Sequence, residues 1–209
     1  MADKFGLSGI SIKLKKKIPV GAGLGGGSSN AAATLKGINE LFKLGMSSQE
    51  LKQVAIKIGA DVPFFIKGGT QIGEGVGDIL TEVNSFVDGS VLLIMPKINI
   101  ETSWAYGQIK NVLDEDSCNI KFRGLIGEKK TPFEMFKNDF EIVIFPAYPE
   151  IGRIKSSLLR SGAWYASLSG SGSTVFGLFD DEAKAMLAKS KFSSEYHSVI
   201  TRPKIHFAI

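Results

Sequence analysis

The spacing of apolar positions changes along the chain, and each change marks a predicted element. Residues 9–14, Gly-Ile-Ser-Ile-Lys-Leu, alternate apolar and polar, which predicts a strand. Pro19 and the glycines behind it end that strand. From Ser29 to Leu44 the spacing becomes three and four, through Ala31, Leu35, Ile38 and Phe42, and Gly45 supplies a helix stop. Ser47 and Glu50 form a capping box for a second helix. Leu51, Val54, Ala55 and Ile58 give it a buried stripe, and Gly59 closes it. Residues 70–83 predict short strands around the turn Gly-Glu-Gly-Val-Gly-Asp. Residues 90–95 predict a buried strand ended by Pro96, and Thr102 or Ser103 is expected to cap a helix through Val112. Residues 114–132 read as an irregular surface loop, and 138–145 fit helix or strand equally. Ile151, Ile154 and Leu158 share one face of a helix over 150–160 that Gly162 ends. A strand at 174–179, a helix at 181–190 and a last strand at 197–201 complete the pattern. Such interleaving predicts an α+β class. The best boundary lies near 84–89, giving domains of residues 1–86 and 87–209.

Composition narrows the function only a little. A length of 209 residues suits one large domain or two small ones. One cysteine, Cys118, excludes an internal disulfide framework and favours a reducing, cytoplasmic setting. His197 and His206 are the two histidines, too few for a His/Cys metal centre, so none is expected. No apolar run is long enough to span a membrane. A net charge of +4 is too small to argue for nucleic acid. Part of the excess is local: Lys13, Lys15, Lys16 and Lys17 crowd just before the glycines. They read either as a solvated edge strand guarded by lysines or as positive potential beside an anion site.

The glycine loop carries the strongest chemical signal. Residues 20–33 read Val-Gly-Ala-Gly-Leu-Gly-Gly-Gly-Ser-Ser-Asn-Ala-Ala-Ala, with five glycines in the seven positions 21–27. A glycine-rich turn entering a helix offers backbone N–H groups and a helix N-terminus to an anion, and a polyphosphate is the natural ligand. The lysine P-loop fails, because Gly27 stands where lysine is required. Gly21, Gly23 and Gly26 fit the dinucleotide fingerprint, but no second strand with a terminal acidic residue follows. A glycine turn with no ligand explains one or two of these glycines and leaves the rest unexplained.

Two further stretches stand out. In Gly-Ala-Asp-Val-Pro-Phe-Phe, Asp61 is placed either to cap the following turn or to orient a hydroxyl as a carboxylate between apolar walls. In Ser-Leu-Ser-Gly-Ser-Gly-Ser, Gly170 and Gly172 flank Ser171; alone this is an ordinary turn, but with the first loop it could close over the same phosphates.

These stretches, together with Glu-Gly-Val-Gly-Asp-Ile-Leu (74–80), resemble the GHMP kinases across nearly the whole chain, least in 114–132. The resemblance implies a two-domain GHMP kinase fold. Its N-terminal part would be like ribosomal protein S5 domain 2, here incomplete, and its C-terminal part ferredoxin-like. It implies ATP with Mg²⁺ as cofactor. The implied substrate is a small molecule, cytidine diphosphate-linked methylerythritol, phosphorylated on its 2-hydroxyl for isoprenoid precursor synthesis. Residues Pro19, Val20, Gly21, Ala22, Gly23, Leu24, Gly25, Gly26, Gly27, Ser28 and Ser29 would wrap the ATP phosphates, with Lys16 near the nucleotide. Asp61 matches the catalytic aspartate, and Gly170, Ser171 and Gly172 the motif near the phosphates. Thr102 would contact the substrate, and Tyr106 would stack on its cytosine. Members of the family begin with a strand region bearing a lysine and an asparagine near the aspartate. The opening Met-Ala-Asp-Lys-Phe-Gly-Leu-Ser-Gly-Ile-Ser-Ile resembles the end of the helix after that region. Asp61 is therefore expected without its charged partner, and part of the first half with an exposed apolar face. A kinase for another small alcohol, or a nucleotide-binding protein without activity, stays open on these residues.

Overall fold

The structure, a computed structural model, describes residues 5–75, 77, 79–83, 87–112, 133 and 136–204. The loop expected at 114–132 lies outside the described residues, but for Phe133 beside it. Two compact units result. One holds the described residues up to Val20 and from Gly25 to Val83; the other holds Gly21–Leu24 and the described residues after 83.

Among its described residues the first unit has the helices α1 (Gly26–Leu41), α2 (Ser48–Ala55) and α3 (Val62–Lys67). A hairpin follows, β1 (Gln71–Glu74) antiparallel to β2 (Ile79–Glu82), with Gln71 opposite Glu82. Ala32, Leu35, Met46, Leu51, Ala55, Val62 and Ile66 form its core. Helix α1 is shifted by one turn from the sequence expectation. Gly25, in the left-handed region at φ 61°, admits Gly26–Ser28 to the helix. At the other end Lys43 turns left-handed at φ 50°, before Gly45 can act as the stop. The Asn39 amide then holds the returning chain, meeting both N and O of Met46 at 3.0 Å. The capping box forms as expected: Ser47 Oγ accepts from Glu50 N, and the Glu50 carboxylate accepts from Ser47 N at 2.8 Å. Ile58 leaves the predicted stripe and is 55% exposed. After Ala55 the turns tighten, with Lys57 N donating to Val54 O and Ile58 N to Ala55 O, and that rotates Ile58 outward.

Residues 9–14 form no strand. Among the described residues no neighbour pairs with them, so their alternation has no ladder to join, and Ile12 and Leu14 stay exposed.

The second unit is built on an antiparallel sheet. Its strands are β3 (Ser90–Met95), β4 (Tyr165–Leu168), β5 (Val175–Phe179) and β6 (His197–Thr201), in spatial order β4-β5-β3-β6. Helices α4 (Thr102–Ile109), α5 (Glu141–Ala147) and α6 (Pro149–Arg160) lie between β3 and β4 in sequence, and α7 (Glu182–Lys189) between β5 and β6. The succession β-α-β-β-α-β with this strand order is the ferredoxin-like arrangement. Alternation decides the buried face: Leu92, Ile94, Ala166, Leu168, Val175 and Phe179 join Ile151, Ile154 and Leu158 of α6 in one core. Each fully buried aliphatic side chain there contributes about 1.5–3 kcal/mol. Gly177 lets α6 close on the sheet, since a Cβ there would stand 3.2 Å from Leu158 and Ala163. The ambiguous stretch 138–145 resolves as the start of α5, with Ile144 fully buried. Helix α4 is shorter than predicted and has Glu101, not Thr102 or Ser103, at its N-cap, with no side-chain cap bond. Among the described residues, no helix is long and apolar enough to cross a membrane.

Candidate functional site

The glycine loop is divided between the units, with Gly21–Leu24 in the second and Gly25–Ser29 in the first. In the first unit it ends by starting α1. A Cβ on Gly25 would meet the Phe65 ring at 2.7 Å, so glycine is what lets α3 close on the start of α1. A Cβ on Gly26 would lie 3.3 Å from Lys16 Nζ. The Lys16 ammonium thus sits over the first residue of a 16-residue helix, at its positive end. Among the described residues no carboxylate pairs with it. These two positive features converge at the helix start, an arrangement that suits an anion.

Gly27 is different from its neighbours. A Cβ there would meet nothing within 4 Å. Packing therefore accounts for Gly25 and Gly26, and for Gly21 (against Asn99) and Gly23, but not for Gly27. That corrects the sequence reading, which left most of the five unexplained. Of the two serines, Ser29 Oγ turns back to donate to Gly26 O at 3.2 Å, and the Ser28 hydroxyl makes no hydrogen bond among the described residues. Pro19 and Val20 are exposed, Val20 at 86%.

Asp61 occupies the N-cap position of α3, yet its side chain makes no cap bond. It is exposed, and it has no ion-pair or hydrogen-bond partner among the described residues. The capping role open to it in the sequence is therefore not taken, and the carboxylate is left available. Helix α3 itself is held firmly. Lys36 Nζ donates to Ile66 O at 3.0 Å, a cation on the last carbonyls of the helix, and Gln71 Nε2 donates to Phe64 O and Gly68 O.

In the second unit Gly21–Leu24 rests on the other glycine–serine loop. Ser169 Oγ donates to Gly23 O at 2.8 Å, and Thr174 N donates to Ala22 O at 3.3 Å. A Cβ on Gly23 would fall 2.1 Å from Ser169 O and 2.7 Å from Gly172 O. The loop around Ser171 closes on itself through Gly172 N to Ser169 O and Ser169 N to Thr174 O, each 2.9 Å. Thr102 Oγ1 lies 3.2 Å from Ser171 Oγ. Tyr106, one turn further along α4, is 54% exposed and stands edge-on to Phe140 at 4.9 Å between ring centres. Thus Gly23, Gly170–Gly172 and Thr102 come together within one unit, while Asp61 and Lys16 belong to the other.

Sequence reasoning missed Asn138 and Glu141. Asn138 Nδ2 donates to Leu168 O and Gly170 O, and Glu141 accepts from Leu168 N and Ser167 Oγ. Its only sequence signal was a polar Asn-Asp pair before an apolar run. Glu141 also pairs with Lys155 of α6. Tyr165, beside it, has its phenol pushed above the ordinary tyrosine range, first by burial.

Comparison with known proteins adds the following. The model for the GHMP kinases N terminal domain matches residues 1–69, and that for the GHMP kinases C terminal matches residues 127–198. A 4-diphosphocytidyl-2-C-methyl-D-erythritol kinase of Prosthecochloris aestuarii is 40% identical over 198 residues, covering 93% of this chain and 69% of that protein. The protein of the same name from Acetivibrio thermocellus is 42% identical over 204 residues, covering 93% and 70%. Among solved structures, a 4-(cytidine 5'-diphospho)-2C-methyl-D-erythritol kinase aligns with TM-score 0.73 at 28% identity, over 89% of this chain and 68% of that one. A homoserine kinase from Cytophaga hutchinsonii aligns with TM-score 0.70 at 21% identity, over 91% and 68%, a likeness of fold.

Proposed function

The chain belongs to the GHMP kinases, among the 4-diphosphocytidyl-2-C-methyl-D-erythritol kinases, and from that premise we propose that it moves the γ-phosphoryl group of ATP to the 2-hydroxyl of 4-diphosphocytidyl-2-C-methyl-D-erythritol. That step serves non-mevalonate isoprenoid precursor synthesis in the cytoplasm. The observation that carries the reading is the start of α1. There Lys16 and the helix N-terminus present two positive features, and Gly27 is bare with no packing reason to be. A phosphate lying against the Gly27 backbone explains both.

Phosphoryl transfer asks a protein for in-line positioning and charge stabilisation. Within the Pro19–Ser29 loop, Val20–Ser28 offer backbone N–H groups to the phosphates, Pro19 having none and Ser29 N donating to Gly25 O, and Lys16 adds charge. Gly170, Ser171 and Gly172 belong to the loop on which Gly21–Leu24 rests, and on this reading they lie near the phosphates. Asp61 orients the attacking hydroxyl; its unused carboxylate suits that role. Thr102 contacts the substrate and Tyr106 offers an exposed ring to the cytosine. The hydroxyl of Ser28, for which no side-chain hydrogen bond is described, or that of Ser29 would help hold Mg²⁺ beside the phosphates. When bound, Mg²⁺ neutralises charge on the β- and γ-phosphates. The expected domains, residues 1–86 and 87–209, would divide these duties, with Gly21–Leu24 packed in the second unit.

The decisive experiment supplies the 209-residue chain with Mg-ATP and, separately, the cytidyl substrate, mevalonate and homoserine. Phosphate transfer to the cytidyl substrate is expected. Transfer only to mevalonate or homoserine would replace the substrate, and no transfer at all would leave a nucleotide-binding protein.

A further inference from the structure

The roles above leave unused the turn of residues 138–141, Asn-Asp-Phe-Glu. Among the described residues strand β4 is an edge of its sheet, so alternate residues aim their N–H and C=O away from β5 with no described strand to receive them. Leu168 is such a residue. Its N–H donates to Glu141 Oε1 at 2.9 Å, and its carbonyl accepts from Asn138 Nδ2 at 2.9 Å. The same Asn138 amide donates to Gly170 O at 2.8 Å, beyond the end of the strand and inside the loop. Asn138 Oδ1 accepts from Phe140 N at 3.0 Å, which fixes the amide's orientation. Glu141 Oε1 also accepts from Ser167 Oγ at 3.1 Å, while Lys155 holds Oε2. Side chains from one turn thus stand in for a missing strand and then reach one step further. That extra bond adds nothing to the ladder; it fixes the loop.

We infer that Asn138 and Glu141 are positioning residues for phosphoryl transfer, setting the height of the Ser169–Gly172 loop on which Gly23 rests. The route is short. Asn138 holds Gly170 O; Gly170 faces Gly23 O, 3.3 Å from where its Cβ would be; and Ser169 Oγ donates to that same oxygen. A shift of the loop therefore moves the backbone of the first glycine loop directly. The inference rests on the reading of both loops as phosphate-binding.

The test uses Asn138→Asp, which keeps the size and the acceptor for Phe140 N but sets a carboxylate against two carbonyl oxygens. A core variant, Ile151→Val on α6, is the comparison, since it loosens the same unit without touching the loop. Steady-state kinetics and amide hydrogen exchange are measured for both. Asn138→Asp is expected to lower kcat at least tenfold with KM for the alcohol within about twofold, and to speed exchange at Ser169–Ser173. Ile151→Val is expected to lower Tm and leave kcat within twofold. Unchanged kcat in Asn138→Asp, or a loss in Ile151→Val that matches it, overturns the inference. Should the wild-type chain transfer no phosphate at all, the kinase reading falls and exchange alone decides. Faster exchange confined to Ser169–Ser173 upholds the brace, and unchanged exchange removes it.

Discussion

Thr102 Oγ1 and Ser171 Oγ lie 3.2 Å apart, joining the first residue of α4 to the tip of the second glycine–serine loop across 69 residues of sequence. The threonine hydroxyl is free for this because Glu101, not Thr102, holds the N-cap position. A residue expected to contact the alcohol is thereby tied to one expected near the phosphates. Thr102→Val keeps the shape and deletes the hydroxyl, leaving the largely buried Ser171 hydroxyl without its partner. The expected loss is about 1 kcal/mol of stability, and KM for the cytidyl substrate should rise about fivefold to tenfold. Ser103→Ala, next to it on the exposed side, should change neither. Thermal unfolding and substrate titration at saturating ATP check both.

Asp61→Asn should leave stability almost unchanged, because the wild-type carboxylate caps nothing and pairs with nothing among the described residues. Turnover should fall by about 10²–10⁴-fold if the carboxylate orients or deprotonates the hydroxyl. ATP affinity should survive, since the phosphates are held elsewhere. Single-turnover phosphorylation and ATP calorimetry separate the two, and near-normal turnover would remove Asp61 from the mechanism.

Gly23→Ala and Gly27→Ala should act in opposite directions on stability, although four positions apart in one loop. At Gly23 the backbone has φ 70° and a Cβ would meet Ser169 O at 2.1 Å, so either the loop or its support must move. The left-handed backbone alone costs about 1–2 kcal/mol. At Gly27 the space is open and the backbone helical, so alanine should stabilise by up to about 1 kcal/mol. If a phosphate approaches the Gly27 backbone, the same methyl should weaken ATP binding. Higher Tm with weaker ATP binding is the expected signature. Higher Tm with unchanged ATP binding would place the phosphates elsewhere.

The sequence made the second unit easier to read than the first, for a physical reason. Strands β3, β5 and β6 and helix α6 carry their apolar pattern into a shared core, so pattern and burial agree. Residues 9–14 carry an equally clear alternation, yet among the described residues they meet no partner strand, and alternation alone makes no ladder. In the loop, glycine counting pointed to phosphate, but packing against Phe65 and Ser169 claims glycines that counting had assigned to a ligand. Asn138 and Glu141 were invisible because their meaning lies in edge-strand groups about 30 residues away, which no local pattern reveals.

Lys16→Met offers the sharpest check on the start of α1, because its two effects have opposite signs. A cation at the N-terminus of a helix is unfavourable in the absence of an anion. Lys16 Nζ lies over Gly26, at the first residue of α1, and no carboxylate among the described residues offsets it. Removing the charge should therefore raise the Tm of the free protein slightly. With ATP present the order should reverse, since the polyphosphate loses a positive neighbour; a fall in affinity of about tenfold is expected for one charge-assisted contact. Added salt should narrow the gap between wild type and variant, because the lysine is exposed and its field is screened. Melting curves at several ATP and salt concentrations measure all three effects on the same samples. A variant less stable than wild type without ATP, and equally stabilised by ATP, would mean that Lys16 serves the fold rather than the phosphates.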